Sequence, residues 1–324
     1  MNRKKNIVII GGGSGLPVIL RPLRDSNVEV TAIVTAADDG GSSGVLRNCM
    51  DMVPPGDIRN ALVALSLLPD ESLDIFQHRF SSSDKQLANH ALGNLIIAAM
   101  TEMSGDIFES IQKLSRFLMI AGKVYPVSNV PLVLHANFSD GSKGRGEHEI
   151  TSAHKKIEKL FITTESGKIP TTSSEVLLSI NNADLIIFGP GSLFTSILPN
   201  LVVPSVGNAV KNSSAKKIFI TNIMTQRGET DGYTDASHIK AIYNNVYPGI
   251  VDYALTNSTV IPKDYIDFKK WSEISTQVKI DKREDQKLGI KSITGNFLTL
   301  RNQGAFHNGK KITKKILDIL GNNV

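Results

Sequence analysis

This 324-residue sequence contains very little cysteine, has no long apolar run and carries only a small excess of charge of one sign. Cys49 is the single cysteine, so no disulfide can form within the chain, and we expect a protein of the reducing cytoplasm. Lysine and arginine together number 36 and aspartate and glutamate 31, which leaves a formal net charge of +5. This excess is too small to indicate nucleic acid as a partner.

The missing apolar stretches exclude further classes of protein. The apolar segment Ile7–Ile10 follows a basic start, but glycines interrupt it at once, and it is too short for the core of a signal peptide. No window of about 18 apolar residues exists, so we expect no membrane span. Histidine and cysteine do not occur at zinc-site spacing, and no Ser-His-Asp order can be read. A zinc site and a serine hydrolase are therefore disfavoured.

Strand patterns and helix patterns alternate along the chain. The β-branched run Ile7–Ile10 is typical of a strand buried on both faces, and helical spacing follows at 16–23 before a second strand at 28–35. These elements form a βαβ unit of about 30 residues, which predicts parallel strands. Three later strands are predicted at 184–188, 216–220 and 250–255. We therefore predict an α/β fold with a Rossmann-like, open, mostly parallel sheet and helices on both faces.

The sequence predicts one domain over residues 1–324, without an internal repeat or a low-complexity linker. Residues 124–165 are interpreted as antiparallel strands, either inserted or added at an edge. Residues 257–324 form a more polar, variable C-terminal part that ends in a helix at about 309–320. Residues 36–55 are predicted to be a long loop, and loops of that length in compact domains are usually functional or disordered.

The turn after the first strand is the clearest candidate for a binding site, and it consists of Gly11, Gly12, Gly13, Ser14 and Gly15. Glycines expose amide groups to a ligand, and the helix that follows adds its positive N-terminus. Leu16 stands where the dinucleotide fingerprint needs a third glycine, and no lysine follows as in a P-loop. We predict that the turn binds a phosphate group; the alternative is a tight structural turn without a ligand.

A second candidate follows the second strand and consists of Asp38, Asp39, Gly40, Gly41, Ser42 and Ser43. The carboxyl end of a strand borders the ligand crevice in open α/β sheets. An acid there can bind a ribose hydroxyl, hold Mg²⁺ or act as a base. Because adjacent carboxylates repel, we expect one of the two in the site and the other solvated or salt-bridged. The alternative is an Asx turn at a loop tip. Arg47 and Arg59 lie near enough in sequence to share the site.

A second glycine turn repeats the arrangement of the first, with Gly189, Gly191 and Ser192 after a buried strand. We expect both strand ends to converge on one ligand. Asn222 begins a further polar loop after the next strand. His90 and Asn94 lie one helical turn apart and either face a ligand together or are structural.

Taken together, these motifs resemble the YvcK-type gluconeogenesis factors, within the wider CofD-like family of 2-phospho-L-lactate transferases. The resemblance covers residues from about 6 to 256, and the last 60 residues match no motif. The matching segments are IVIIGGGSGLPVILRPL, AIVTAADDGGSSGVLR, VPPGDIRNALVALS, FQHRF, HALGNLIIAA, ADLIIFGPGSLFTSILPNLVV and NIMTQRGETDGYT.

The resemblance implies a CofD-like fold, a cytoplasmic protein and binding of UDP-N-acetylglucosamine. It also implies a role in cell shape and cell-wall precursor control during gluconeogenic growth. By the same resemblance, Gly12, Gly13 and Ser14 bind phosphate, and Asp38 or Asp39 binds ribose or a metal. Asn222 and the loop after it complete the implied site.

Three hypotheses follow. The first is a regulator that binds a UDP-sugar. The second is a Mg²⁺-dependent transferase that uses a nucleotide diphosphate donor in the same pocket. The third is an NAD-binding protein, which the absent third glycine disfavours. Catalysis, homo-oligomer formation, protein partners and base specificity are left open by the sequence.

Overall fold

A computed structural model describes residues 3–81 and 87–321. The strands are β1 (Lys5–Gly11), β2 (Val28–Val34), β3 (Lys123–Pro126), β4 (Leu132–Phe138), β5 (Lys143–Arg145), β6 (Ile157–Thr164), β7 (Leu185–Phe188), β8 (Lys216–Ile220), β9 (Met224–Gln226), β10 (Tyr253–Asn257), β11 (Ile274–Gln277), β12 (Lys291–Gly295), β13 (Leu298–Arg301) and β14 (Gly304–His307). The helices are α1 (Leu16–Arg24), α2 (Gly41–Met50), α3 (Pro55–Leu65), α4 (Asp70–Gln77), α5 (Leu92–Ser104), α6 (Ile107–Phe117), α7 (Glu147–Ser152), α8 (Ser174–Asn181), α9 (Leu198–Leu201), α10 (Pro204–Asn212), α11 (Asp235–Asn245), α12 (Lys282–Lys287) and α13 (Gly309–Gly321), with a π-helical turn at Leu193–Ile197.

The central sheet has seven parallel strands in the order β12-β10-β8-β7-β1-β2-β3. The chain builds outward from β1 through β2 to β3, then returns to the other side of β1 and builds outward again from β7. The strand order therefore reverses between β1 and β7, and a ligand crevice is expected at that switch point. Ile7, Ile9 and Ile10 are fully buried there. The predicted α/β fold with a parallel sheet is confirmed.

The segment at 124–165 divides between two sheets. Strands β4, β5 and β6 form a separate antiparallel sheet. Residues 124–126, also interpreted from the sequence as antiparallel, instead belong to β3, which pairs in parallel with β2 at the edge of the central sheet. Pro126 suits an edge because proline has no N–H to donate. A strand of four residues carries no sequence signal for its direction.

The long loop predicted at 36–55 is wrong for residues 41–50, because helix α2 occupies Gly41–Met50, and α3 already begins at Pro55. Its first four residues, Gly-Ser-Ser-Gly, have low helix propensity, so the sequence gives no helix signal. Tertiary contacts stabilise the helix instead: Gly44 packs on the Asp39 backbone, and Leu46 and Arg47 are buried.

The polar C-terminal part contributes a strand to the central sheet and a helix to the layer that packs on it. Strand β12 forms the edge beside β10, and β13 and β14 make an antiparallel hairpin. Helix α13 packs on α1. This part therefore borders the N-terminal βαβ unit, although its sequence is the least periodic of the chain.

Residues 193–201 are buried throughout, which accounts for their apolar composition. No single helix among residues 3–81 and 87–321 has the length and apolar composition to cross a membrane. The helical segments Leu193–Leu201 and Pro204–Asn212 meet at a bend of 78°. Only when the two are counted together do they reach that length and apolar composition.

Candidate functional site

The two glycine turns lie against each other at the switch point between β1 and β7. The Gly189 amide donates to the Ile10 carbonyl at 2.9 Å. A Cβ added to Gly15 would lie 3.0 Å from the Pro190 carbonyl oxygen, and one added to Gly191 would lie 2.9 Å from the Gly12 carbonyl oxygen. The backbones thus touch, and the structure brings both turns to the same crevice.

One amide of the first turn is already engaged by a protein carboxylate. The Gly13 amide donates to Asp57 Oδ1 at 2.8 Å, and Gly13 has a φ of +67°. A Cβ on Gly12 would overlap Asp57 Oδ2. Asp57 lies in the first turn of α3, whose N-cap is Pro54. Asp57 therefore occupies part of the place that a bound phosphate would take.

Three carboxyl groups lie together beside this turn, those of the buried Asp57 and of the half-buried Asp38 and Glu147. Burial raises the pKa of Asp57 to about 7, and the charge of Asp38 contributes to that rise. Burial also raises the pKa of Asp38 and of Glu147, and Glu147 responds in addition to the charges of Asp38 and Asp57. Asp38 and Glu147 hydrogen-bond to each other. Such an arrangement favours a bound proton or a cation.

Adjacent Asp38 and Asp39 have different surroundings. Asp39 accepts hydrogen bonds from the amides of Glu147 at 2.9 Å and His148 at 2.8 Å, at the N-terminus of α7. It therefore fixes a helix end, whereas Asp38 faces the other two carboxyl groups. The sequence could not identify Glu147, because it lies 108 residues after Asp39 in a segment interpreted as antiparallel strands.

The remaining residues of the second candidate begin α2. Gly40 is its N-cap, and the Gly40 amide donates to Asp38 Oδ1 at 2.9 Å, as in an Asx turn. Gly41 is the first helical residue, and Ser43 hydrogen-bonds to Asp38. Arg47, expected to share the site, forms an ion pair with Glu165 at 2.6 Å.

His90 and Asn94 meet at Ser42. Ser42 Oγ lies 2.9 Å from His90 Nδ1 and accepts from Asn94 Nδ2 at 3.1 Å. Asn94 Oδ1 in turn accepts from Arg59 Nη1 at 3.0 Å. Burial lowers the pKa of Arg59 to about 10. The structure thus assigns these side chains to one buried hydrogen-bond network around the start of α2.

A cavity of about 300 Å³ opens beside the two turns. From the predicted site it includes Ser14, Gly15, Gly191, Ser192 and Asn222. From the C-terminal part it includes Trp271, Arg301, Phe306 and His307. We call it the turn cavity.

The C-terminal side of the turn cavity is aromatic and cationic. The rings of Trp271 and Phe306 meet edge to face with centroids 5.2 Å apart. The Arg301 guanidinium lies 4.6 Å from the Phe306 centroid. The sequence analysis missed these residues, since they lie in the stretch without motifs; that Trp271 is the single tryptophan was the one available hint.

A larger cavity of about 740 Å³ lies beside the turn cavity, and Gln226 and Glu273 line both. We call it the loop cavity, because the loop after Asn222 forms much of its wall. Glu229, which is buried, accepts a hydrogen bond from Ser192 between the two cavities. Burial raises the pKa of Glu229.

Among the described residues, no group of three His, Cys, Asp or Glu side chains is placed to hold a metal ion. The oxygen donors of Asp38 and Asp57 nevertheless suit Mg²⁺, which is usually held by one or two carboxylates together with water and ligand phosphates. A cation there would also lower the cost of burying these carboxyl groups. The residues fit magnesium only as partial ligands beside a phosphate.

Comparison with known proteins places this geometry in a family. The sequence profile of 2-phospho-L-lactate transferase CofD matches residues 7–298. A gluconeogenesis factor of Halalkalibacterium halodurans is 44% identical over 316 residues, which cover 98% of this chain and 97% of that protein. A Lactococcus lactis protein, whose name also contains the words gluconeogenesis factor, is 46% identical over 314 residues, which cover 97% of this chain and 96% of that protein.

Solved structures agree. The crystal structure of a UPF0052 family protein from Bacillus halodurans matches with a TM-score of 0.92 at 44% identity, covering 97% of this chain and 100% of that chain. The resemblance seen in the motifs is therefore confirmed, and the chain belongs to the CofD family, among relatives of the YvcK type that are named gluconeogenesis factors.

Proposed function

We propose that the protein binds a nucleotide diphosphate sugar, of the UDP-N-acetylglucosamine kind, in the turn cavity. The observation that carries this proposal is the meeting of two glycine turns with an aromatic and cationic wall in one cavity. Its volume of about 300 Å³ lies at the lower end of the range of small-molecule sites. The proposed biological role is cytoplasmic regulation of cell shape and cell-wall precursor supply during gluconeogenic growth, and it rests on the family resemblance.

Each wall of the cavity suits one part of such a ligand. Ser14, in the first glycine turn, can donate to a phosphate oxygen at the start of α1. Arg301 supplies a planar cation, which matches the geometry of a phosphate. Trp271 and Phe306 offer ring surfaces to a base. The residues of the turns thus suit the diphosphate, and the C-terminal hairpin suits the nucleoside.

The single tryptophan makes the proposal directly testable. Trp271 lines the cavity, so titration with UDP-N-acetylglucosamine is expected to change its fluorescence in a saturable way. Arg301→Ala removes the cation and is expected to weaken binding by about tenfold or more. Arg116→Ala, on the exposed face of α6, is the matched control and should bind like the wild type. Absence of binding of any nucleotide diphosphate at millimolar concentration, by fluorescence and by calorimetry, would reject the proposal.

A second candidate function, a Mg²⁺-dependent transferase with a nucleotide diphosphate donor, is favoured by the carboxyl groups of Asp38, Asp57 and Glu147. Magnesium, when bound, would neutralise charge on the donor's phosphates. The residues' part would be to hold it and to orient the donor beside Gly13.

Incubation with the nucleotide donor, magnesium and candidate acceptors, followed by mass spectrometry, tests this candidate. A transferred group that disappears in Asp38→Asn but persists in Asp74→Asn, an exposed acid of α4, would support a transferase. Donors recovered unchanged with every acceptor would favour the regulator.

A further inference from the structure

The loop cavity lies beside the turn cavity, close enough for one ligand to contact both. The two share the side chains of Gln226 and Glu273. At their junction the Ser192 hydroxyl donates to Glu229 Oε2. Ser192 belongs to the second glycine turn, so the junction lies where the proposed function puts the diphosphate. Whatever is attached to the far phosphate must therefore enter the loop cavity.

The chemistry of the loop cavity indicates what that group can be. Three carboxyl side chains line it, those of Glu229, Asp231 and Glu273, against the cationic Arg227. The other lining residues are polar or glycine, and none has an aliphatic side chain. An anionic group would meet this excess of carboxyl groups, and an apolar group would leave polar groups of the wall without hydrogen-bond partners. A neutral group with several hydroxyls, by contrast, would find acceptors on more than one side.

The wall of the loop cavity is held in place by hydrogen bonds within its own loop. The Gln226 amide donates to Thr230 Oγ1 at 2.9 Å, and the Gly228 amide donates to Asp231 Oδ2 at 2.6 Å. Glu229 hydrogen-bonds to Thr151 of α7 as well as to Ser192. The polar groups are thus ordered before any ligand arrives, which lowers the entropic cost of binding.

We propose that the loop cavity is the sugar subsite of the nucleotide-sugar site: hydroxyls of the sugar donate to Glu229 and Glu273, and Ser192 stands between sugar and nucleotide. This inference rests on the proposed function, since it assigns the second half of the same ligand. It also predicts selectivity, because a neutral sugar fits the carboxyl-rich wall and an anionic substituent in its place does not.

The test compares UDP with UDP-N-acetylglucosamine by Trp271 fluorescence. Wild-type protein is expected to bind the sugar nucleotide more tightly than UDP by about tenfold, the effect of one or two hydrogen bonds to a charged acceptor. Glu273→Gln is expected to reduce that ratio several-fold. Ser275→Leu, which narrows the loop cavity from β11, should do the same by excluding the sugar. Ser275→Leu should keep UDP affinity within about twofold of the wild type, because Ser275 lines the loop cavity and not the turn cavity. Glu71→Gln, an exposed acid of α4, is the control and should leave the ratio unchanged.

The outcomes separate the subsite from the nucleotide site. If UDP binds but the wild type does not prefer the sugar nucleotide, the subsite is wrong and the nucleotide site stands. The subsite is equally wrong if Glu273→Gln and Ser275→Leu both leave the ratio unchanged. If neither UDP nor the sugar nucleotide binds the wild type, the proposed function itself fails. Circular dichroism of each variant confirms that it is folded.

Discussion

The two ends of the crevice have opposite chemistry. At the end near β2, the buried Asp57 lies with the half-buried Asp38 and Glu147, and removal from solvent raises the pKa of each carboxyl group. At the end near the C-terminal hairpin, Trp271 and Arg301 present a ring and a cation at the rim of the turn cavity. The carboxyl groups at the first end repel an anion unless a proton or a cation neutralises their charge. The arginine at the second end attracts an anion directly.

This difference changes how the glycine turn is understood. Exposed amides alone do not make a phosphate site here, because Asp57 already accepts from Gly13. The proposed diphosphate ligand would therefore gain its affinity mainly from the hairpin end, and the carboxyl end would contribute only when protonated or bound to a cation. Substitutions at the carboxyl end should then change stability, whereas substitutions at the hairpin end should change ligand affinity.

Gly12→Ala is expected to change the free energy of unfolding more than any other substitution considered below. The new Cβ would overlap the Asp57 carboxylate, which is buried and cannot move away freely. We expect a loss of about 3 kcal/mol in the free energy of unfolding, at the upper end for overpacked sites. Chemical denaturation measures it. Gly40→Ala is the matched control, because its Cβ would lie 3.4 Å from Asp38 Oδ1 at an ordinary φ of −91°. Equal stability of the two variants would contradict the close contact at Gly12.

Asp57→Asn is expected to raise the free energy of unfolding, by less than Gly12→Ala lowers it. Asparagine keeps an oxygen acceptor for the Gly13 amide but carries no charge. Because the pKa of Asp57 is raised from 3.8 to about 7 in the folded protein, its ionisation destabilises the fold at high pH. The stability that its proton supplies is complete below pH 3.8 and is lost as the pH rises through 7. We expect the variant to gain about 2 kcal/mol at pH 8.

The pH dependence distinguishes this explanation from a general effect of the substitution. The advantage of Asp57→Asn over the wild type should shrink steadily between pH 8 and pH 5 in denaturation curves. Asp74→Asn, an exposed acid on α4, should show no such trend. An advantage that stayed constant across this range would mean that Asp57 is not the titrating group.

How much of this could be predicted differs between the fold and the site. Uninterrupted β-branched strands and glycine turns identified the parallel sheet, since such strands are buried on both faces. Helix α2 escaped prediction because Gly and Ser at its start have low propensity, and only its packing stabilises it. The direction of β3 depends on long-range pairing with β2, which no local pattern encodes.

For the site, the convergence of the two glycine turns followed from a general rule, because the carboxyl ends of parallel strands meet at one edge. Glu147 could not be found, since it reaches the carboxyl group of Asp38 from the first residue of α7, far along the chain. Arg301 and Phe306 lie on a short hairpin in a polar stretch, where neither periodicity nor a motif marks them. Side chains brought in by such segments become visible only in the folded chain.

The smallest predicted effect separates the two adjacent aspartates. Asp39 accepts from the amides of Glu147 and His148 at the start of α7, so Asp39→Ala leaves these donors without that acceptor. We expect a loss of about 1 kcal/mol in the free energy of unfolding, the usual cost of losing a helix cap. Asp38→Asn removes a buried charge instead and is expected to raise stability at pH 8, because its pKa is raised by burial. If both substitutions destabilised the protein equally at pH 8, the division between a helix-fixing Asp39 and a site-facing Asp38 would be wrong. Both aspartates would then have the same role at the carboxyl end of the crevice.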